Sequence, residues 1–199
     1  MPRIITETPW QQFKQRWENC SLCKLHGTRR NIVLCRGKIP CDVGFCGEAP
    51  GTSEDDLGVP FVGPAGHLLD DQIAEAMENA EADLSLCFFN LVCCIPKEKG
   101  KKVNEPPKEC IEACDPRLIE FVNLCKPRLL ILVGDLAKKY IFGQAHFGEC
   151  EWLQERFMEF AHIVHPASLL RMRENEPARF SLIYNKTVVI LENAFREMG

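Results

Sequence analysis

Four short apolar runs, separated by longer amphipathic stretches, dominate the pattern of the chain. The runs cover residues 42–46, 86–92, 128–133 and 161–164. Few polar residues interrupt them, which is typical of parallel strands covered on both faces of a sheet. A minor strand is also predicted over residues 31–34.

Between these runs, apolar residues recur at the spacing of one helix face. Trp10, Phe13 and Trp17 predict a short helix within residues 7–19. Further helices are predicted over residues 68–82, 110–123, 137–142 and from residue 177 onward, although residues 186–191 suit either a helix or a strand. This alternation predicts one α/β domain over residues 1–199, a three-layer α/β/α sandwich with a central four-stranded parallel sheet.

Charge and hydropathy narrow the classes of function. The 199 residues carry a formal net charge of −4 with a pI near 5.8, so any DNA contact must be local rather than spread over a basic surface. No apolar stretch reaches the ~18 residues that span a bilayer, and the first residues are polar, without the apolar core of a signal peptide. We therefore expect a cytoplasmic, monomeric protein without a membrane partner.

Twelve cysteines are the strongest compositional signal. In a reducing compartment thiols stay free, so metal binding or burial explains them better than disulfides. Cys20 and Cys23 form a CxxC pair, and Cys94 and Cys114 each stand just before a proline-containing break, so these four are the predicted ligands. Four thiolates suit zinc or a 4Fe-4S cluster, and the uneven spacing favours the cluster.

The eight remaining cysteines are interpreted as small core residues or incidental thiols. They are Cys35, Cys41, Cys46, Cys87, Cys93, Cys110, Cys125 and Cys150.

A glycine-rich segment, residues 47–70, follows the apolar run 42–46 directly. Such turns at the carboxyl ends of strands are where α/β proteins build their sites. A plain surface loop would explain the glycines, prolines and acids of this segment, but it would not explain Phe61, an aromatic residue between Pro60 and Val62. The segment therefore predicts a binding site.

Five motifs occur in order along the chain: CSLC at residues 20–23, GEAPG with PFVG, the strand ending NLVCC, CDPRL, and HPASLLR at residues 165–171. Together they resemble the family 4 uracil-DNA glycosylases, the iron-sulfur branch of that superfamily. The resemblance implies that uracil is flipped out of DNA and its N-glycosidic bond hydrolysed, leaving an abasic site. It also implies a structural 4Fe-4S cluster on the four predicted cysteine ligands.

The resemblance also assigns roles to single residues. Glu48 positions or deprotonates the attacking water, and Ala49 offers its backbone N–H to uracil. Phe61 stacks on the flipped base, Asn90 reads the edge of the pyrimidine, and His165 hydrogen-bonds O2 as negative charge develops on the leaving base. From sequence alone, Asn90 could also be a turn residue and His165 a core histidine.

Other residues are expected at the rim of the pocket. Glu54 is predicted to close it beside C5 and exclude thymine, although Glu54 and Asp55 could equally be solvated loop acids. Leu169 or Leu170 is the predicted minor-groove wedge. The predicted phosphate contacts, which would make binding salt-dependent, are Arg171, Arg173, Lys97, Lys99, Lys101 and Lys102.

Two departures from the family pattern stand out. The usual Arg-Gly pair before the HPA motif is replaced by Phe147-Gly148, and Cys93 stands where a lysine usually precedes the cysteine ligand. The charged loop over residues 97–108 contains no histidine, so turnover is expected rather than covalent trapping on DNA. The rival hypotheses are a non-catalytic iron-sulfur or zinc accessory protein and a glycosylase for hypoxanthine or xanthine.

Overall fold

The computed structural model describes residues 7–97, 103–143 and 159–198, and within them one mixed sheet forms the centre of the fold. Its strands are β1 (Arg36–Gly37), β2 (Val43–Gly47), β3 (Leu86–Asn90), β4 (Leu129–Val133) and β5 (Glu159–Ile163). The spatial order is β1-β3-β2-β4-β5. Strands β2 to β5 are mutually parallel, and β1 pairs antiparallel with β3 at one edge.

Helices connect the strands and cover the sheet. They are α1 (Pro9–Trp17), α2 (Thr52–Leu57), α3 (Pro64–Ala80), α4 (Lys108–Cys125), α5 (Asp135–Gly143), α6 (Pro166–Asn175) and α7 (Pro177–Arg196). Several begin as sequence chemistry favours: a Thr8 capping box starts α1, and proline occupies the first turn of α3, α6 and α7. None of the described helices is long and apolar enough to cross a membrane.

The two faces of the sheet bury separate apolar clusters, because successive side chains of a strand point to opposite faces. One cluster joins sheet residues to α1, α4 and α5 and contains Phe13, Cys46, Phe89, Leu118, Phe121, Leu130, Leu132 and Ile141. The other joins the sheet to α3 and α7 and contains Phe45, Leu69, Ile73, Phe88, Ile131, Val133, Val188, Leu191 and Phe195. The predicted three-layer α/β/α sandwich is confirmed.

The details differ from the sequence prediction at two places, and a third place that the sequence left open is a helix. The four parallel strands are joined by an antiparallel fifth, β1, and the minor strand predicted over residues 31–34 is wrong, because those residues form no strand. Residues 54–56, predicted to lie in a loop, belong to α2, and residues 186–191 are helical within α7. In α7, Val188 and Leu191 are buried and lie three residues apart. This spacing is that of one helix face, not the alternation of a strand.

The parallel strands end at the same edge of the sheet. Glu48 follows β2, Asn90 ends β3, Gly134 follows β4 and His165 lies just beyond β5. The carboxyl edge of an open α/β sheet is the usual position of a ligand site.

Candidate active site

An open cleft of about 570 Å³ lies at this carboxyl edge of the sheet. Seven residues predicted to act on uracil or DNA line it: Glu48, Ala49, Glu54, Phe61, Asn90, His165 and Arg171. They come from segments that are far apart in the chain, so the fold brings them together. The cleft is large enough for one nucleotide base and part of its sugar and phosphate.

Gly47 allows the ring of Phe61 and the carboxamide of Asn90 to meet. A Cβ atom on Gly47 would lie 2.5 Å from Asn90 Oδ1 and 2.6 Å from Phe61 Cζ, closer than non-bonded atoms approach. Phe61 also has a positive φ of 56°, an unusual backbone conformation for a residue other than glycine. It is buried and packs at 5.8 Å from the ring of Phe88. A flat aromatic surface and a polar amide therefore lie side by side in the wall of the cleft.

Asn90 is held by its backbone, which leaves its side chain available. Its carbonyl oxygen accepts a hydrogen bond of 2.8 Å from Arg117 Nη2, and the Leu91 N–H beside it donates to the Gly47 carbonyl at 2.9 Å. The residue is only 3% exposed, yet no described protein group hydrogen-bonds its carboxamide. A buried amide group normally forms hydrogen bonds, so this carboxamide is suited to bind a ligand in the cleft.

His165 has a defined tautomer. It is the N-cap of α6, and its Nδ1 accepts a hydrogen bond from the Ala167 N–H at 3.2 Å. Burial, together with the positive charge of Arg171, lowers the pKa of His165, which keeps the imidazole neutral at pH 7. In the neutral ring the proton is then on Nε2, so His165 is a neutral hydrogen-bond donor.

Gly134, just after β4, leaves room for the side chain of His165. With φ at +94°, Gly134 adopts a left-handed conformation, and a Cβ atom there would lie 3.1 Å from His165 Cβ.

Glu48 places a partly buried carboxyl group in the cleft. Burial, reinforced by the nearby negative charge of Glu105, raises the pKa of Glu48 to about 7. A carboxyl group with a pKa near the working pH can take up a proton during a reaction and release it afterwards. Glu105 lines the same cleft.

Glu54 and Asp55 both bind the backbone, in different places. Glu54 lines the cleft, and its carboxylate accepts hydrogen bonds from the N–H groups of Gly51, Val62 and Gly63 at 2.7–3.0 Å. It therefore fixes the loop that carries Phe61. Asp55 is buried and is not among the residues that line the cleft. Its carboxylate accepts hydrogen bonds from the N–H groups of Arg30 and Asn31, which accounts for it without a bound base and corrects its placement in the substrate pocket.

The two candidate wedge residues, Leu169 and Leu170, differ in burial. Leu169 is completely buried in α6 and does not reach the surface, so it cannot be the wedge. Leu170 is half-buried and is the leucine left for this role. Arg171 is exposed and donates to Ser168 Oγ at 2.9 Å. Lys99, Lys101, Lys102 and the Phe147-Gly148 pair lie outside the described residues.

A second, smaller cavity contains the predicted metal ligands. Cys20, Cys23, Cys94 and Cys114 all line it, although they come from three separate segments. The Arg29 guanidinium donates to Cys94 Sγ at 3.3 Å. Among the described residues, no three Cys, His, Asp or Glu side chains form a group that could hold a single metal ion.

Arg117 connects the cleft with this smaller, cysteine-lined cavity, the thiol cavity. Nothing in the sequence pattern indicated a role for Arg117. It is 2% exposed and lines the thiol cavity, while its Nη2 donates to the carbonyls of Asn90 and Leu91 at 2.8 and 2.6 Å. Its Nε and Nη1 are buried and have no hydrogen-bond partner among the described residues. A buried guanidinium needs negative charge nearby, so the residues around the thiol cavity fit an anionic group.

Comparison with known proteins agrees with this geometry. The family model of the uracil DNA glycosylase superfamily matches residues 36–188. A type-4 uracil-DNA glycosylase of Pyrobaculum aerophilum is 33% identical over 176 residues, which cover 81% of this chain and 84% of the relative. The protein of the same name from Thermotoga maritima is 31% identical, covering 84% and 86% of the two chains, and that from Sulfurisphaera tokodaii is 29% identical, covering 94% and 82%. The chain therefore belongs to the uracil-DNA glycosylase superfamily and, within it, to the type-4 uracil-DNA glycosylases.

Proposed function

We propose that this protein is a DNA repair glycosylase that removes uracil by hydrolysing its N-glycosidic bond and leaves an abasic site. The observation that carries the proposal is the convergence of Glu48, Phe61, Asn90 and His165 on one cleft. A base inside a duplex is out of reach of such a cleft, so the nucleotide must flip out of the stack, at a cost of a few kcal/mol.

Recognition of uracil rests on Asn90 and Phe61. The Asn90 carboxamide accepts a hydrogen bond from uracil N3–H through Oδ1 and donates one to O4 through Nδ2. Cytosine presents the opposite pattern and would leave buried polar groups unpaired. The Phe61 ring stacks on the base. Ala49 lines the cleft, and none of the described residues accepts a hydrogen bond from its N–H, which can therefore donate to the pyrimidine.

Bond cleavage rests on His165 and Glu48. As the bond between C1′ and N1 breaks, negative charge moves onto the base and its O2, where the neutral His165 Nε2–H donates a hydrogen bond. Glu48 orients a water molecule toward C1′ and accepts its proton. Both groups act on charge that is largest in the transition state, so they accelerate the reaction more than they tighten substrate binding.

Cys20, Cys23, Cys94 and Cys114, four of the five cysteines that line the thiol cavity, would hold the 4Fe-4S cluster in this proposal. A donor set of thiolates and the unpaired nitrogens of Arg117 support an anionic cluster there. The cluster supplies cross-links between the segment after α1, the segment after β3 and helix α4, and takes no part in bond cleavage. Zinc on the same thiolates is the alternative, and iron and sulfide analysis of the purified protein distinguishes the two.

The test is an excision assay on oligonucleotides that differ in one base. Uracil opposite guanine and uracil in a single strand are compared with matched thymine, cytosine, hypoxanthine and xanthine, followed by alkaline cleavage. We expect cleavage only at uracil. Binding without cleavage would support the accessory-protein hypothesis, and faster release of hypoxanthine or xanthine than of uracil would replace uracil as the substrate.

A pH profile tests the role of Glu48. With its pKa raised to about 7, a base that works when ionised should lose activity as the pH falls below 7 and reach a plateau above it. Glu48→Gln should lower kcat by about 10²-fold and remove this acidic limb. Single-turnover rates between pH 5 and 9 measure both effects.

Glu105→Gln is the matched control. It leaves Glu48 in place but removes the charge that raises the pKa of Glu48, so the midpoint of the pH profile should move to lower pH. An acidic limb that persists unchanged in Glu48→Gln would contradict the assignment.

Arg117→Met tests the link between the thiol cavity and Asn90. The substitution keeps an unbranched side chain but removes the positive charge and both hydrogen bonds to the carbonyls of Asn90 and Leu91. We expect less iron and acid-labile sulfide per chain and a lower melting temperature of the cluster-loaded protein. The apoprotein should be equally or more stable, since it loses a buried unpaired charge.

Arg128→Met serves as the control for this experiment. Arg128 also donates to a backbone carbonyl, that of Met198 at 3.1 Å, but it does not line the thiol cavity. The iron content of the Arg128→Met protein should stay at the wild-type level. If Arg117→Met kept its full iron and sulfide content and melted like wild type, the charge-pairing interpretation would be wrong.

A further inference from the structure

A second group of cysteines lies at the opposite edge of the sheet from the cleft. Cys41 precedes β2, Cys87 is the second residue of β3, Cys125 ends α4, and Cys35 precedes β1. All four are free thiols, and none of them lines the cavity of the predicted metal ligands. From sequence these cysteines are small core residues or incidental thiols, and Cys41, Cys87 and Cys125 are buried.

Burial alone does not explain how these thiols are arranged, because two of them are in contact and a third is next to them. Cys125 Sγ lies 4.0 Å from Cys87 Sγ, and both thiols affect the pKa of Cys41. The backbone also joins two members, since the Cys41 N–H donates to the Cys125 carbonyl at 3.0 Å. A direct backbone hydrogen bond brings two Cα atoms to about 5 Å, within the range that a disulfide spans.

Of the three buried thiols of this group, Cys41 is the one that keeps some exposed surface, and Cys35 is more exposed than all three. Cys41 keeps 6% of its surface exposed, whereas Cys87 and Cys125 have none. It also ends a loop in which Gly37, Lys38 and Pro40 are exposed. Hydrogen bonds from the thiols of Cys125 and Cys87 lower the pKa of Cys41 to about 5, against the opposing effects of burial and of Asp42. A thiol with a lowered pKa and a small exposed area, next to a fully buried thiol, is the arrangement of a nucleophilic and a resolving cysteine.

We propose that Cys41 and Cys125 form a redox-active pair that a small-molecule disulfide oxidises to an intramolecular disulfide. The Cys41 thiolate attacks one sulfur of the oxidant RSSR, the S–S bond breaks, and RS⁻ leaves, which gives a mixed disulfide on Cys41. Cys125 loses its proton and attacks Cys41 Sγ, which expels the second RS⁻. The two protein thiols are oxidised, the oxidant is reduced to two RSH, and both protons end on the released thiols.

The bond would tie the end of α4 to the start of β2. It closes the chain over α3, β3 and most of α4, a segment that includes Asn90, Cys94 and Cys114. A cross-link across so long a segment stabilises the fold by restricting the unfolded chain. Oxidation would therefore make the fold that supports both cavities more resistant to unfolding.

The experiment treats the cluster-loaded protein with oxidised glutathione, blocks the remaining thiols and maps its peptides without reduction. We expect one cross-link between the peptides of Cys41 and Cys125, which dithiothreitol reverses. The melting temperature should rise by roughly 5–15 °C, with iron content unchanged. This thermal shift is measured on the wild-type chain and does not depend on a variant that folds.

Two variants complete the test. Cys41→Ser should abolish both the cross-link and the thermal shift, whereas Cys35→Ser should keep them, because the proposed disulfide does not include Cys35. The proposal is overturned if no cross-link forms, if the link joins Cys87 to Cys125 instead, or if Cys41→Ser still shows the thermal shift. None of these readouts involves uracil excision, so failure here and failure of the proposed glycosylase activity are separate results.

Discussion

Replacing Asn90 with alanine should reduce kcat/KM for uracil excision by about 10⁴-fold, the size of effect seen when a site built to hydrogen-bond a substrate loses that partner. The reason lies in the position of the side chain. Asn90 is 3% exposed at the end of β3, and within the described structure its carboxamide has no hydrogen-bond partner of its own. The substitution removes the group that pairs with N3–H and O4 and leaves the substrate's polar edge buried without partners.

Single-turnover excision with enzyme in excess measures this loss, and circular dichroism with a melting curve checks the fold. Asn79→Ala is the matched control, because Asn79 is an exposed asparagine on α3 whose amide donates to Glu192 Oε2. It should excise uracil at the wild-type rate. If the Asn90 variant kept its fold and stayed within tenfold of wild type, another group would have to read the base.

The site was predictable where sequence pattern and sheet geometry coincide. Glu48 and His165 each follow an apolar run and Asn90 lies near the end of one. Parallel strands end at a common edge, so these three separated residues could be expected to meet there. Phe61 was marked because an aromatic residue in a loop of glycines and prolines has little other reason to be there. These predictions needed only the direction and the ends of the strands.

The sequence could not predict contacts that depend on packing between distant segments. Strand β1 has two residues, too few for any alternation, and it exists only because β3 offers a free edge. Asp55 sits beside Glu54 and has the same chemistry, yet in α2 the two side chains point to different partners. Arg117 looked like an ordinary helix cation, and only the fold shows that it is buried between two cavities.

The cysteines show the same limit. Spacing identified four of the five cysteines that line one cavity, because a CxxC pair and proline-flanked cysteines carry local signals. Cys41, Cys87 and Cys125 carry no such signal, and 38 residues separate even Cys125 from Cys87. Strand register and the end of α4 bring their thiols together.

Replacing His165 with alanine should lower kcat by about 10²–10³-fold while KM changes little, as for the loss of one preorganised donor to a developing negative charge. The donor is the neutral imidazole, because the Ala167 N–H occupies Nδ1 and burial lowers the pKa of the ring. Steady-state kinetics on a uracil oligonucleotide measures the split between kcat and KM. Gly134→Ala should reproduce part of the loss, since its Cβ atom would press on His165 from 3.1 Å.

The tautomer gives this prediction a readout independent of activity. Nitrogen-15 NMR of the imidazole at pH 7 should show the proton on Nε2 of His165 and a ring that stays neutral at lower pH than an ordinary histidine. His162→Ala is the control: His162 lies three residues earlier, with Nε2 at 3.3 Å from Asp135 Oδ1, and it does not line the cleft, so kcat should be unchanged. A proton on Nδ1, or a charged ring at pH 7, would mean that stabilisation of O2 comes from imidazolium or from another donor. In that case the fall in kcat for His165→Ala would need a different explanation. An imidazolium loses its charge as the pH rises through its pKa, whereas a neutral imidazole remains a hydrogen-bond donor throughout the neutral pH range.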